Sequence, residues 1–164
     1  MQDASKVAQQ AAGDIERFLW SHPATLSVVN VEGNDEFRKK DIDLIWRYIN
    51  KGVFFERFVE IKGDRYYETG NYFFETISNE SKNSPGCFLY TEAHYIFYYF
   101  IEKRELHILP MPETRDWFLP LLNIFRERKT STPVGSGEAY VTVGRLVPRS
   151  KVKREVSNLK VFQI

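Results

Sequence analysis

Asp43, Glu60 and Lys62 have the residue types and the spacing for chemistry at a phosphate. Asp43 leads into the apolar run Leu44-Ile45-Trp46. Seventeen residues after Asp43, a second run, Phe58-Val59, ends in Glu60-Ile61-Lys62-Gly63. Both runs are rich in Ile, Val, Phe and Trp, and Asn50-Lys51-Gly52 lies between them, the pattern of two strands joined by a turn. Residues two apart on a strand share a face, so Glu60 and Lys62 project together. An acid and an amine on an otherwise apolar strand are costly to bury unless something pairs with them. Asp43, on the neighbouring strand, is placed to share a divalent cation with Glu60. Lys62 then sits over the cation's anionic ligand or its water, an arrangement suited to cutting a phosphodiester. The other reading of the trio is a buried or edge salt bridge, which usually returns less than its desolvation costs.

These residues need a scaffold, and the flanking pattern supplies one. Asp3 to Trp20 reads as a helix with an apolar stripe of Val7, Ala11, Ile15, Phe18 and Leu19. Glu16 lies at the margin of that stripe, and Ser21-His22-Pro23 ends the helix. Leu26 to Val31 is a short strand or an extended arm, and Glu32 to Lys40 is a polar loop. Strands are expected at Ile42–Ile49, Val53–Lys62, Asn71–Ile77, Tyr95–Ile101 and Leu106–Leu109. The second of these is apolar on both faces, as a covered central strand is. Glu113 to Arg128 has helical periodicity, with Pro120 either kinking it or starting a second helix. Thr130–Gly137 reads as a flexible turn, Ala139–Val147 as a strand, Ser150–Val156 as a short basic helix and Leu159–Ile164 as a last strand. The expected fold is α/β: one domain with a mixed central sheet flanked by helices, its core at about 3–128 and a basic section at 129–164.

Composition bounds the class. With 164 residues, 43% hydrophobic and 27% charged, the chain fits one globular domain with a sizeable core. It has no 18-residue apolar stretch and no basic-then-apolar leader, so neither a membrane span nor a signal peptide is expected. Cys87 is the single cysteine, which excludes a disulfide framework and suits the cytoplasm. Net charge is +1, but from Arg126 onward nine Lys and Arg face three acids, leaving the remainder acidic. An acidic body with a basic end suits a metal site beside a phosphate-binding surface; the plainer reading is a solvated basic face. Arg149, Lys151, Lys153 and Arg154 are the candidate nucleic-acid contacts. His22, His94 and His107 lack metal-ligand spacing and read as core or surface residues. Tyr66, Tyr67, Tyr90, Tyr95, Tyr98 and Tyr99 read either as base-stacking rings or as sheet-face residues.

The order helix, Asp-bearing strand, Glu-x-Lys strand and further strand resembles the PD-(D/E)XK nuclease superfamily, which includes restriction endonucleases and Holliday junction resolvases. The bipartite motif matches at Asp43 and at Glu60-Ile61-Lys62; the motif's proline is absent, Ile42 standing before Asp43. Asp43 is the preferred ligand and Asp41 the fallback. A closer similarity runs through Lys40–Trp46, Thr69–Glu75, Ser84-Pro85-Gly86 and Thr91–Tyr95, which look like short phage and bacterial proteins regarded as nucleases of this fold. The resemblance covers about residues 10 to 110. It implies a restriction-endonuclease-like fold, Mg²⁺ or Mn²⁺, and hydrolysis of DNA, including branched or junction DNA. Asp43, Glu60 and the Ile61 carbonyl would hold the metal, with Lys62 on the attacking water and Glu16 reaching the metal through a water. Glu75 is an accessory candidate from the next strand. A homodimer is compatible with this picture. The rival reading is a catalytically silent nucleic-acid-binding or assembly module that keeps the fold.

Overall fold

The computed structural model describes residues 4–164, so Asp3, the first residue of the expected helix, lies outside the described residues. In chain order the elements are α1 (Ala4–Ser21), β1 (Thr25–Asn30), α2 (Asp35–Arg38), β2 (Leu44–Asn50), β3 (Val53–Asp64), β4 (Asn71–Asn79) and β5 (Ser84–Pro85). Then come α3 (Cys87–Tyr90), β6 (Tyr95–Phe100), β7 (Glu105–Pro110), α4 (Glu113–Phe118), β8 (Arg126–Val134), β9 (Glu138–Pro148), α5 (Arg149–Glu155) and β10 (Lys160–Gln163). Two compact units share the chain. The first takes the residues up to Glu68, Glu92–Met111 and Asn158–Ile164; the second takes Thr69–Thr91 and Pro112–Ser157. No helix among the described residues is long and apolar enough to cross a membrane.

The first unit is built on a mixed six-stranded sheet of order β1-β2-β3-β6-β7-β10, in which only the β3–β6 pair is parallel. Lys51 and Gly52 both take positive φ, 50° and 76°, as the tight turn between β2 and β3 requires. That turn sets the register Leu44↔Val59 and Ile45↔Phe58. Leu44 and Val59 then face α1, whose Val7, Ala11, Ile15 and Leu19 join them in a buried cluster with Phe97 and Tyr99. Gly63 lets the helix sit close: a Cβ there would lie 3.0 Å from Ala11 Cβ and 3.2 Å from Val7 Cγ1. On the other face Phe37 of α2 packs with Val31, Ile42, Ile45, Phe58 and Ala93. The six-stranded sheet thus has helices on both faces, as expected for an α/β chain.

One polar contact is buried between α1 and the sheet. The Tyr99 hydroxyl donates to Asp14 Oδ2 at 2.9 Å, and Arg17 pairs with the other oxygen of the same carboxylate. Asp14 falls in the inward row of α1, between Ala11 and Ile15, and is buried.

The second unit carries a four-stranded antiparallel sheet of order β5-β4-β9-β8. Its core is aromatic: Phe74 and Phe88 stack with centroids 4.0 Å apart, and Phe118 meets both edge-on. The helix expected over Glu113–Arg128 is replaced by three pieces. α4 stops at Phe118, a 3₁₀ segment runs Leu119–Ile124, and β8 begins at Arg126. Pro120 has no N–H to return to the carbonyl four residues back, so the α-helical ladder cannot pass it. The flexible turn expected at Thr130–Gly137 is mostly strand, paired from Arg126↔Leu146 to Val134↔Glu138.

Replacing Tyr99 with Phe leaves a buried Asp14 oxygen without its donor and should destabilise the protein by about 1–3 kcal/mol. Burial, and then the hydrogen bond to Asp14, push the Tyr99 hydroxyl up from 10.0 to about 12. The folded state therefore keeps a proton that the unfolded chain has already lost, and stability falls as pH climbs from 10 through 12. Denaturant melts across that range should show a steeper loss for the wild type than for Tyr99→Phe.

Candidate metal centre

The β2–β3 hairpin assembles the acids. The ladder runs one residue past β2, with the Asp43 N–H donating to the Val59 carbonyl at 2.9 Å, which brings Asp43 level with Glu60. Asp43 Oδ2 accepts the Ile61 N–H at 2.7 Å, so the side chain is tied to the backbone of β3. The carboxyls of Asp43 and Glu60 share a hydrogen bond. Strand alternation puts Glu60 and Lys62 on the face away from α1, and Glu60 is only 8% exposed. Its Oε2 is buried and takes no hydrogen bond. Asp41 holds a left-handed backbone, φ 54°, a conformation Asp tolerates better than most residues. Its carboxylate lies within 4.8 Å of that of Glu60.

The electrostatics follow from that crowding. Burial pushes the Glu60 carboxyl well above the usual carboxylate range, and the charges of Asp43 and Asp41 push the same way. Burial also raises Asp43, while the Ile61 N–H pulls it back. The Lys62 charge lowers both acids, but as a lesser influence. A cavity of about 510 Å³ opens on the acids, lined by Glu32, Gly33, Arg38, Asp41, Ile42 and Asp43.

The donor set fits a hard cation. The carboxylates of Asp41, Asp43 and Glu60 offer oxygens, which Mg²⁺ and Mn²⁺ prefer. Two oxygens bound to one ion at roughly 2.1–2.5 Å lie no more than about 5 Å apart, and the Asp41–Glu60 spacing is within that limit. The uncompensated Glu60 oxygen is what a ligand to an ion leaves behind when the ion is absent. Asp41, the fallback in the sequence, is the aspartate whose carboxylate converges with that of Glu60 within 4.8 Å, while Asp43 is tied by its Oδ2 to the Ile61 N–H.

The remaining expected site residues lie elsewhere. Glu16 is carried by α1, which covers the opposite face of the sheet, so the sheet separates it from Glu60. Glu75 is half-buried on β4 of the second unit, opposite Gly144. Arg149, Lys151, Lys153 and Arg154 all fall on α5 of the second unit. Lys151 and Arg154 pair with Glu155 at 2.8 and 3.3 Å, and Lys153 is exposed. His107 is buried against Glu105 at 2.6 Å, and His94 Nδ1 accepts the Phe58 N–H at 2.8 Å, so both serve structure. Tyr98, bonded to Asp64, and Tyr99 are sheet-face residues. Sequence reading missed Glu32 and Arg38; the stretch Glu32–Lys40, expected as a loop, holds the short α2 capped by Asn34, and Arg38 reaches the cavity from its last position. Comparisons with family models, curated proteins and solved structures found no match.

Because the folded protein holds the Glu60 proton to higher pH than the unfolded chain, stability falls as pH rises from about 4.5 through the raised value. Glu60→Gln should abolish that decline and stabilise the metal-free protein at pH 8 by about 1–3 kcal/mol. Saturation with Mn²⁺ at a hundredfold its Kd should add about 2.7 kcal/mol to the wild type and little to Glu60→Gln. Thermal melts at pH 5 and 8, with and without Mn²⁺, check all of this.

Proposed function

We propose that this chain is a divalent-metal-dependent nuclease of the PD-(D/E)XK kind, hydrolysing phosphodiester bonds of DNA. The observation that carries the reading is the buried Glu60 Oε2, which takes no hydrogen bond and lies beside the carboxylate of Asp41, with Lys62 on the same strand face. A purely structural acid would be expected to find a donor, since leaving a buried polar group unmatched costs about 1–3 kcal/mol. Asp43, Glu60 and Asp41 are the residues that would hold Mg²⁺ or Mn²⁺, with the Ile61 carbonyl as a backbone candidate. The ion, when bound, polarises a phosphate and lowers the pKa of a coordinated water.

This chain's own groups do the rest. The Ile61 N–H holds Asp43 with one oxygen aimed at the strand, which fixes the ligand before substrate arrives. Lys62, two residues beyond Glu60, presents an ammonium where negative charge grows on the phosphate, and orients the attacking water. On the second unit, α5 offers Lys153 and Arg154 to the DNA backbone, with Arg154 exchanging its exposed pairing to Glu155 for a phosphate. Neutralised phosphates make such binding strongly salt-dependent.

Single-turnover cleavage of plasmid and branched DNA tests the reading. Lys62→Ala should keep the fold and most DNA affinity while losing about a hundredfold or more in rate. Replacing Arg149, Lys151, Lys153 and Arg154 with Ser should flatten the salt dependence of binding instead. A wild type that binds DNA but never cleaves it with Mg²⁺ or Mn²⁺ would make the chain a silent binding module.

A further inference from the structure

The cavity beside the acids has one more feature that bears on substrate. Its described lining residues include three acids, Glu32, Asp41 and Asp43, and a single base, Arg38. Arg38 is held in register with the acids by the backbone. Its N–H donates to the Asn34 carbonyl at 2.9 Å, and its own carbonyl accepts the Asp41 N–H at 3.2 Å. The preceding residue, Phe37, is anchored among Val31, Ile42, Ile45, Phe58 and Ala93, and its carbonyl accepts the Ile42 N–H at 3.1 Å. The guanidinium therefore has a fixed origin at the cavity.

Its tip pairs, among the described residues, with Asp35 at 2.6 Å, both side chains being more than 70% exposed. An exposed pair of this sort is worth about 0–1 kcal/mol. A guanidinium bonded in a fork to a phosphate is stronger and sterically matched. Three carboxylates would repel a bare phosphate from this space, but a divalent cation on Asp43 and its neighbours reverses that balance, and such cations commonly bind carboxylates and substrate phosphates together. A volume of about 510 Å³ is within the range of small-ligand pockets and admits a nucleotide.

We propose that this cavity is the phosphate pocket of the metal centre and that Arg38 is its anion-binding residue, gripping a nucleotide phosphate while the cation-loaded carboxylates hold its other side. The inference rests on the metal-centre reading above and adds the group that recognises substrate. Asp35 then acts as a competitor that occupies Arg38 until phosphate arrives.

The test is calorimetric titration of thymidine 5′-monophosphate into Mn²⁺-saturated protein, beside a separate titration of Mn²⁺ alone. Arg38→Gln should weaken nucleotide binding about tenfold or more while leaving Mn²⁺ affinity the same or tighter, since a cation has been removed from beside the acids. Arg38→Lys should restore part of the loss, and Asp35→Asn should tighten nucleotide binding severalfold. A merely structural Arg38 would lower both affinities together. If the wild type binds Mn²⁺ but no nucleotide, or if Arg38→Gln binds nucleotide as the wild type does, the proposal is overturned. Nucleotide binding that needs Mn²⁺ and Arg38, in a protein that does not cleave DNA, would keep the pocket and reject the nuclease.

Discussion

A carboxyl in the middle of a sheet must be neutral, paired or bound to a cation, and Glu60 is arranged so that no protein group satisfies it fully. One of its oxygens takes no hydrogen bond, and the charges of Asp43 and Asp41 both bear on it. The rest of the first unit fixes that situation in place. The tight Lys51-Gly52 turn sets which residues of β2 and β3 stand opposite each other. Gly63 allows α1 to press on the other face of β3 and leaves the Glu60 face to the acids. Strain of this kind lowers stability and is kept where a site needs it.

The centre was legible where periodicity governs. Glu60 and Lys62 share a face because strand side chains alternate, and the Asn50-Lys51-Gly52 turn was enough to bring Asp43 opposite Glu60. The α/β class and most strand positions follow from the same pattern. What periodicity does not encode was harder to read. Asp41, named from the sequence only as the fallback, reaches Glu60 through its own left-handed backbone. Glu32 reaches the cavity from a loop and Arg38 from the end of the short α2, neither marked by an apolar period. Glu16 looked like the helix acid of interest because it borders the apolar stripe, yet Asp14 is the one turned inward, and it bonds Tyr99 rather than the centre.

The second unit shows the limit of composition. β8 reads as a helix end and a turn because most of its side chains are exposed and polar, so no alternation betrays the strand. Its ladder with β9 is backbone pairing, joined by an ion pair between Arg145 and Glu127 at 3.2 Å. The α5 cations are similarly ambiguous in sequence: two of them already pair with Glu155, so a basic run is not the same as a free basic surface.

The most direct measurement is a crystal structure after a Mn²⁺ soak, read from the anomalous signal of manganese. The account predicts an ion bonded to oxygens of Asp43 and Glu60 at about 2.1–2.3 Å, with the hydrogen bond between the two carboxyls gone. A crystal that keeps that hydrogen bond and shows no manganese at Glu60, at concentrations that saturate a typical Mn²⁺ site, would contradict it.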